Sequence, residues 1–235
     1  MIDRQFHRSL LGSVVCTALI AGIAVAGEFQ QGLEAFNSED YEQAMASWLP
    51  LARAGDINAM YNVGLLYDEG LGVAVDKEAA LNWYLVPAEE GDVSAQFNVA
   101  MIYAFGDGVP EDNEKALHWY TQAARQADEQ AQFNLAVMYA TGEGVRVDMD
   151  EAFKWYKFSA YLGHVHAQYN LAYIYDTGTA VPEDNQLAMQ WYLKAAEQVD
   201  DDAQYAIALM YDEGDGFAAD DLAAIKWYTL AAEQG

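Results

Sequence analysis

Residues 92–127 read DVSAQFNVAMIYAFGDGVPEDNEKALHWYTQAARQA. Apolar Val93, Phe97, Ala100, Met101, Tyr103 and Ala104 fall at helical spacing. Asp92 stands at the N-cap, where a carboxylate accepts from free backbone N–H groups. Gly106 and Gly108 end the helix, because glycine takes the left-handed C-cap conformation without a Cβ clash. Val109-Pro110 runs extended, and Asp112 opens a second helix with Ala116, Trp119, Tyr120, Ala123 and Ala124 on its packing side. The unit is helix, glycine turn, helix.

That pattern is written five times at an interval of 36 residues. Trp83, Trp119, Trp155, Trp191 and Trp227 keep the spacing, each followed by tyrosine, and so do Ala59, Ala95, Ala131, Ala167 and Ala203. A fixed period of this size marks a solenoid, in which each unit buries its apolar face only against its neighbours. The chain is therefore expected to be all-α, with repeats over 56–91, 92–127, 128–163, 164–199 and 200–235. A degenerate opening repeat over 27–55 carries Phe29, Gly32, Leu33 and Phe36, then Tyr41, Ala44 and Trp48. Pro50 and Pro87 fall within second helices, where kinks are expected.

Small residues mark where helices meet. Gly64, Ala100, Ala136, Ala172 and Ala208 share one first-helix position; Ala80, Ala116, Ala152, Ala188 and Ala224 share one on the second. A larger side chain at either costs about 1–3 kcal/mol by overpacking. Gln132, four residues before Ala136, reads as an exposed position.

Residues 1–26 do not repeat. Arg4 and Arg8 precede an apolar run over 10–26 that closes Ala24-Val25-Ala26, ahead of Gly27. This is the form of a secretory signal peptide, with cleavage expected after Ala26. The alternative is an uncleaved membrane anchor, for which the run is at the short limit. Cys16, the one cysteine, lies in that segment. Export without disulfides fits a bacterial periplasm or cell surface, given a large core. The formal charge of −26 argues against nucleic acid and against an anionic membrane surface. It leaves either a solvated acidic surface or a basic partner drawn in by the field.

The run Ala-x-x-x-Leu/Val-Gly/Ala-x-x-Tyr, then Gly-x-Gly-Val, Asp and Ala-x-x-Trp-Tyr-x-x-x-Ala, resembles the Sel1-like repeat, a relative of the tetratricopeptide repeat. The match covers 56–235 fully and 28–55 loosely. The resemblance implies a right-handed α/α superhelical solenoid whose first helices line the concave face. It also implies an adaptor role in bacterial envelope assemblies, signalling or host contact. Ala127 and Val199 replace the closing glycine and Ala180 the second loop glycine, so those joints are expected to deviate. A cysteine-rich Helicobacter branch of the family is assigned β-lactamase activity and ties each repeat with a Cys pair. No such pair exists here, so no residue carries that activity over.

Asn62, Asn98, Asn134 and Asn170 share one first-helix position, each after an aromatic: Tyr61, Phe97, Phe133 and Tyr169. Three residues on, Leu65, Met101, Val137 and Tyr173 extend the stripe. The resemblance turns it to the concave face, where Asn both donates to and accepts from a peptide backbone. The other reading is that each Asn bonds a neighbouring repeat. The ladder stops at Ala206. No Lys or Arg lies on the first helices of the five units, which argues against a carboxylate clamp and favours a neutral or basic peptide. In the last unit, Trp227 and Leu230 belong to an apolar face expected to dock a partner or a second copy. His164 and His166 read as solvated, short of a metal-ligand set. The reading is an exported, non-catalytic scaffold that binds a protein or peptide, with no cofactor and no metal. The alternatives are an envelope hydrolase and a structural subunit of an envelope assembly.

Overall fold

The computed structural model describes residues 26–216 and 218–234. Residues 1–25, nearly all of the expected signal segment, lie outside them. Helix α1 covers 26–37. It is followed by α2 (Tyr41–Arg53), α3 (Ile57–Glu69), α4 (Lys77–Glu89), α5 (Val93–Phe105), α6 (Asn113–Arg125) and α7 (Glu129–Thr141). Then come α8 (Met149–Leu162), α9 (Val165–Thr177), α10 (Asn185–Glu197), α11 (Asp201–Glu213) and α12 (Asp221–Ala232). No strand occurs among the described residues. The fold is an all-α solenoid of helix-turn-helix repeats.

The helix starts follow from side-chain chemistry. Aspartate caps every helix from α2 to α12 except α9, accepting from N–H groups of the first turn. At α9 the cap is His164, whose Nδ1 accepts from the Ala167 N–H at 3.2 Å. First helices α3, α5, α7, α9 and α11 end on left-handed Gly70, Gly106, Gly142, Gly178 and Gly214. Helices α2 and α4 continue past Pro50 and Pro87 to Arg53 and Glu89.

The chain forms two compact units. The first holds α1 to α4, α5 as far as Ile102, and 106–110. There α2 packs on α3 and α3 on α4, around Trp48, Leu51, Val63 and Leu66. The Trp48 Nε1–H donates to the Phe29 carbonyl oxygen at 3.1 Å, tying α1 to α2. A Cβ on Gly64 would lie 2.7 Å from the Tyr84 ring, so that small residue is a helix contact.

The second unit holds 103–105 and everything from Glu111 on. Each of its helices α6 to α12 packs on the next. Its core joins Leu171, Ile174 and Ile207 to the tyrosines of successive Trp-Tyr pairs. Tyr84, Tyr120, Tyr156 and Tyr192 are the buried members of their pairs; of their tryptophan partners only Trp191 is buried. Burial pushes the Tyr156 phenol up to about 12.

Two expectations need correction. Gln132 is not exposed: it is 5% accessible, and its Nε2 donates to the Ala124 carbonyl oxygen at 3.0 Å. The joints at Ala127 and Val199 do not abandon the glycine conformation: φ is 64° and 68°, left-handed like Gly55, Gly91 and Gly163. The price of that conformation without glycine is about 1 kcal/mol. At Ala180 the joint does deviate, because Glu39, Ala127 and Val199 are the only described non-glycine residues with positive φ.

Candidate functional site

The asparagine stripe divides. Asn98 lies beside Tyr61 and Tyr84 of the preceding repeat, and Asn134 beside Tyr120 of the preceding repeat. Asn170 turns back on its own helix, donating from Nδ2 to the His166 carbonyl oxygen at 2.8 Å. The aromatics before these asparagines pack on the tyrosine of their own Trp-Tyr pair. Ring centroids are 5.5 Å apart for Tyr61 and Tyr84, 5.9 Å for Phe133 and Tyr156, and 5.6 Å for Tyr169 and Tyr192. Asn62, Asn98, Asn134 and Asn170 are all half-buried. Asn98 and Asn134 thus sit against the preceding repeat, and Asn134 also lines a cleft.

Within the second unit the first-helix face carries two clefts in the same repeat register. One, of about 230 Å³, is lined by Phe105, Tyr120, Asn134, Val137, Met138 and Glu143. The other, of about 250 Å³, includes Tyr169, Tyr173, Asp176, Tyr205, Leu209 and Glu213. Ala206 replaces Asn134 in the second. There the Tyr192 hydroxyl donates to Asp176 Oδ2 at 3.2 Å. Burial raises the Tyr192 phenol well above its ordinary value, and nearby Asp176 adds to the rise.

A larger pocket of about 520 Å³ lies where α8 passes into α9, lined by Glu129, Phe133, Asn134, Leu162, His164 and His166. Its histidines are not simply solvated. His164 caps α9 and stacks on Phe133, with centroids 4.4 Å apart. His166 Nδ1 lies 3.4 Å from Asp200 Oδ2, and Asp200 also caps α11 through the Ala203 N–H. Burial, then the neighbouring His166, lowers the His164 pKa. Among the described residues no group of three His, Cys, Asp or Glu is arranged to hold a metal ion.

On α12, Trp227 is half-buried and packs against the core, while Leu230 is exposed. Leu222 and Ile225 are more exposed than either, at 80% and 60%. Two functional features escaped the sequence reading. One is the buried glutamine at 96, 132, 168 and 204, whose clue was its recurrence. The other is the ion pair of Lys77 with Asp68, 2.7 Å apart, which the period alone does not disclose.

The chain belongs to the Sel1-repeat family: the Sel1 repeat model matches residues 57–92, 93–128, 129–164, 165–200 and 201–235. A Sel1 repeat protein from Oxalobacter formigenes is 33% identical, with a TM-score of 0.79 over 88% of this chain and 83% of that one. A protective antigen of uropathogenic Escherichia coli strains, with the same repeat fold, is 32% identical, with a TM-score of 0.68. That match covers 90% of this chain but 54% of the antigen, about half its length. A search of curated proteins found no match.

Proposed function

We propose that this chain is an exported, non-catalytic scaffold that binds a neutral or basic protein segment along its first-helix face. Sel1-repeat proteins generally mediate protein–protein interaction, and the scaffold is typically non-catalytic. The observation that carries the finer reading is the pair of clefts in repeat register. Their walls are tyrosine, apolar side chains and carboxylates, and the first helices contribute no Lys or Arg. Such a surface offers area and hydrogen bonds to an extended peptide and repels an acidic one. Placement outside the inner membrane rests on the charged-then-apolar N-terminus.

A photo-crosslinking residue placed in living cells at Phe105 or Tyr173, both exposed and cleft-lining, tests this. The same partner should be captured from both positions and not from exposed Gln190 on α10. Capture from Gln190 alone would overturn the choice of face. Protein from the envelope fraction should begin at Gly27; an intact Met1 on cytosolic protein would refute export.

A further inference from the structure

In the first compact unit, Lys77 Nζ lies 2.7 Å from Asp68 Oδ1. Asp107 adds a second negative charge beside that ammonium. The Tyr84 hydroxyl donates to the other Asp68 oxygen at 3.2 Å. The repeat register carries three of these groups into the fourth and fifth repeats. Asp176 stands for Asp68, Asp215 for Asp107 and Tyr192 for Tyr84, and the Tyr192 hydroxyl reaches Asp176 Oδ2 at the same 3.2 Å.

The cation is not carried over. Asn185 occupies the position of Lys77, and its buried Oδ1 has no hydrogen-bond partner among the described residues. No described Lys or Arg forms an ion pair with Asp176. Asp176 and Asp215 instead line the 250 Å³ cleft, with Tyr169, Tyr173 and Tyr205 as further walls. Burial holds the Asp176 carboxyl above its usual range, and the charges of Asp215, Glu183 and Glu213 add to that against the Tyr192 hydrogen bond. The folded chain leaves this negative charge uncompensated.

We infer that this cleft takes the ammonium group of a lysine side chain from a partner peptide, seated between Asp176 and Asp215 as the first repeat seats Lys77. The inference rests on the binding role proposed above and names one subsite of it. The carboxylates supply charge-assisted hydrogen bonds, and the tyrosine faces attract the cation. The net charge of the chain draws a basic segment toward it.

The test uses the full chain and a blocked pentapeptide, acetyl-Gly-Gly-Lys-Gly-Gly-amide, against the same peptide carrying Nε-acetyllysine. Binding is followed by NMR shifts. The lysine peptide should bind at least about tenfold more tightly than its neutral counterpart. Asn185→Lys supplies the ammonium from within and should erase that difference with the helical circular dichroism intact. Gln190→Lys makes the same charge change on the exposed face of α10 and should preserve it. Equal binding of the two peptides by the wild-type chain overturns the inference. Equal loss in both variants also overturns it, since general acidity then explains the binding. If crosslinks from Phe105 persist while the peptides are not discriminated, this subsite falls and the scaffold reading stands.

Discussion

The side-chain amide of Gln132 on α7 donates to the Ala124 carbonyl oxygen on α6 at 3.0 Å, joining one repeat to the one before it. Gln96 makes the same bond to Ala88 and Gln168 to Ala160, at 3.0 and 3.2 Å. A buried polar group that loses its partner costs far more than an exposed one. Gln132→Ala leaves the Ala124 carbonyl without this donor and is expected to cost about 1–3 kcal/mol. Gln130→Ala, at an exposed position on the same helix, should stay within about 0.5 kcal/mol. Urea denaturation of both variants decides the matter; equal midpoints would remove the glutamine from the account of stability.

Gln132 is only half satisfied. The Oε1 of Gln168 accepts from Gln198 Nε2 at 2.9 Å, and that of Gln204 from Gln234 Nε2 at 2.8 Å. The equivalent position in the third repeat is Leu162, and Gln132 Oε1 is buried with no partner. Leu162→Gln should therefore stabilise the chain by about 0.5–1.5 kcal/mol, and the gain should vanish when Gln132 is also replaced by leucine. A Leu162→Gln variant no more stable than wild type would contradict this.

Val199 holds φ at 68° with a β-branched side chain, in a region where Cβ crowds the carbonyl. Val199→Gly relieves that crowding, partly offset by the greater freedom of glycine in the unfolded chain. The expected net gain is up to about 1 kcal/mol, seen as a raised melting temperature. The reverse change at the equivalent joint, Gly163→Val, should lower it, because Gly163 has φ 105°.

The α9 cap depends on a neutral imidazole, since His164 Nδ1 must accept from the Ala167 N–H. Burial first and His166 second depress its pKa below 6.5, while Glu129 opposes them. The unfolded chain then takes up this proton more readily than the folded one. The contribution of His164 is intact above 6.5 and is lost as pH falls from there through the depressed folded value. His164→Asp restores the cap used by the other repeats. Its melting temperature should fall less than that of wild type between about pH 7.5 and about pH 5.5. Identical shifts in the two proteins would show that this cap does not titrate in that range.

The helix pairs were legible because sterics allow so few residues at their contacts. Gly64 and its alanine equivalents, the Trp-Tyr pairs and the left-handed glycines repeat for want of alternatives. Gln132 was misread because a polar side chain was placed at the surface by default, although its recurrence was as regular as that of the alanines. His164 stands in the register of Asp128 and Asp200, so its capping role was readable there. The asparagine register showed alignment but not that Asn98 and Asn134 lie against Tyr84 and Tyr120 of the preceding repeat. Tyr192 is 16 residues from Asp176, and only the packing of α9 on α10 brings their side chains together.

The contrast between the first and fourth repeats has a consequence for how such an array diversifies. In the first repeat the charge is balanced within the unit, Lys77 against Asp68. Recognition can then arise by subtraction. Where Asn185 takes the lysine position, one side chain separates a neutralised surface from a bare acid pair, and the aspartate cap and the helix lengths remain as they were. Each copy of the unit can be bared or neutralised on its own, so the order of such positions along the chain spells out where positive charge on a partner would have to fall.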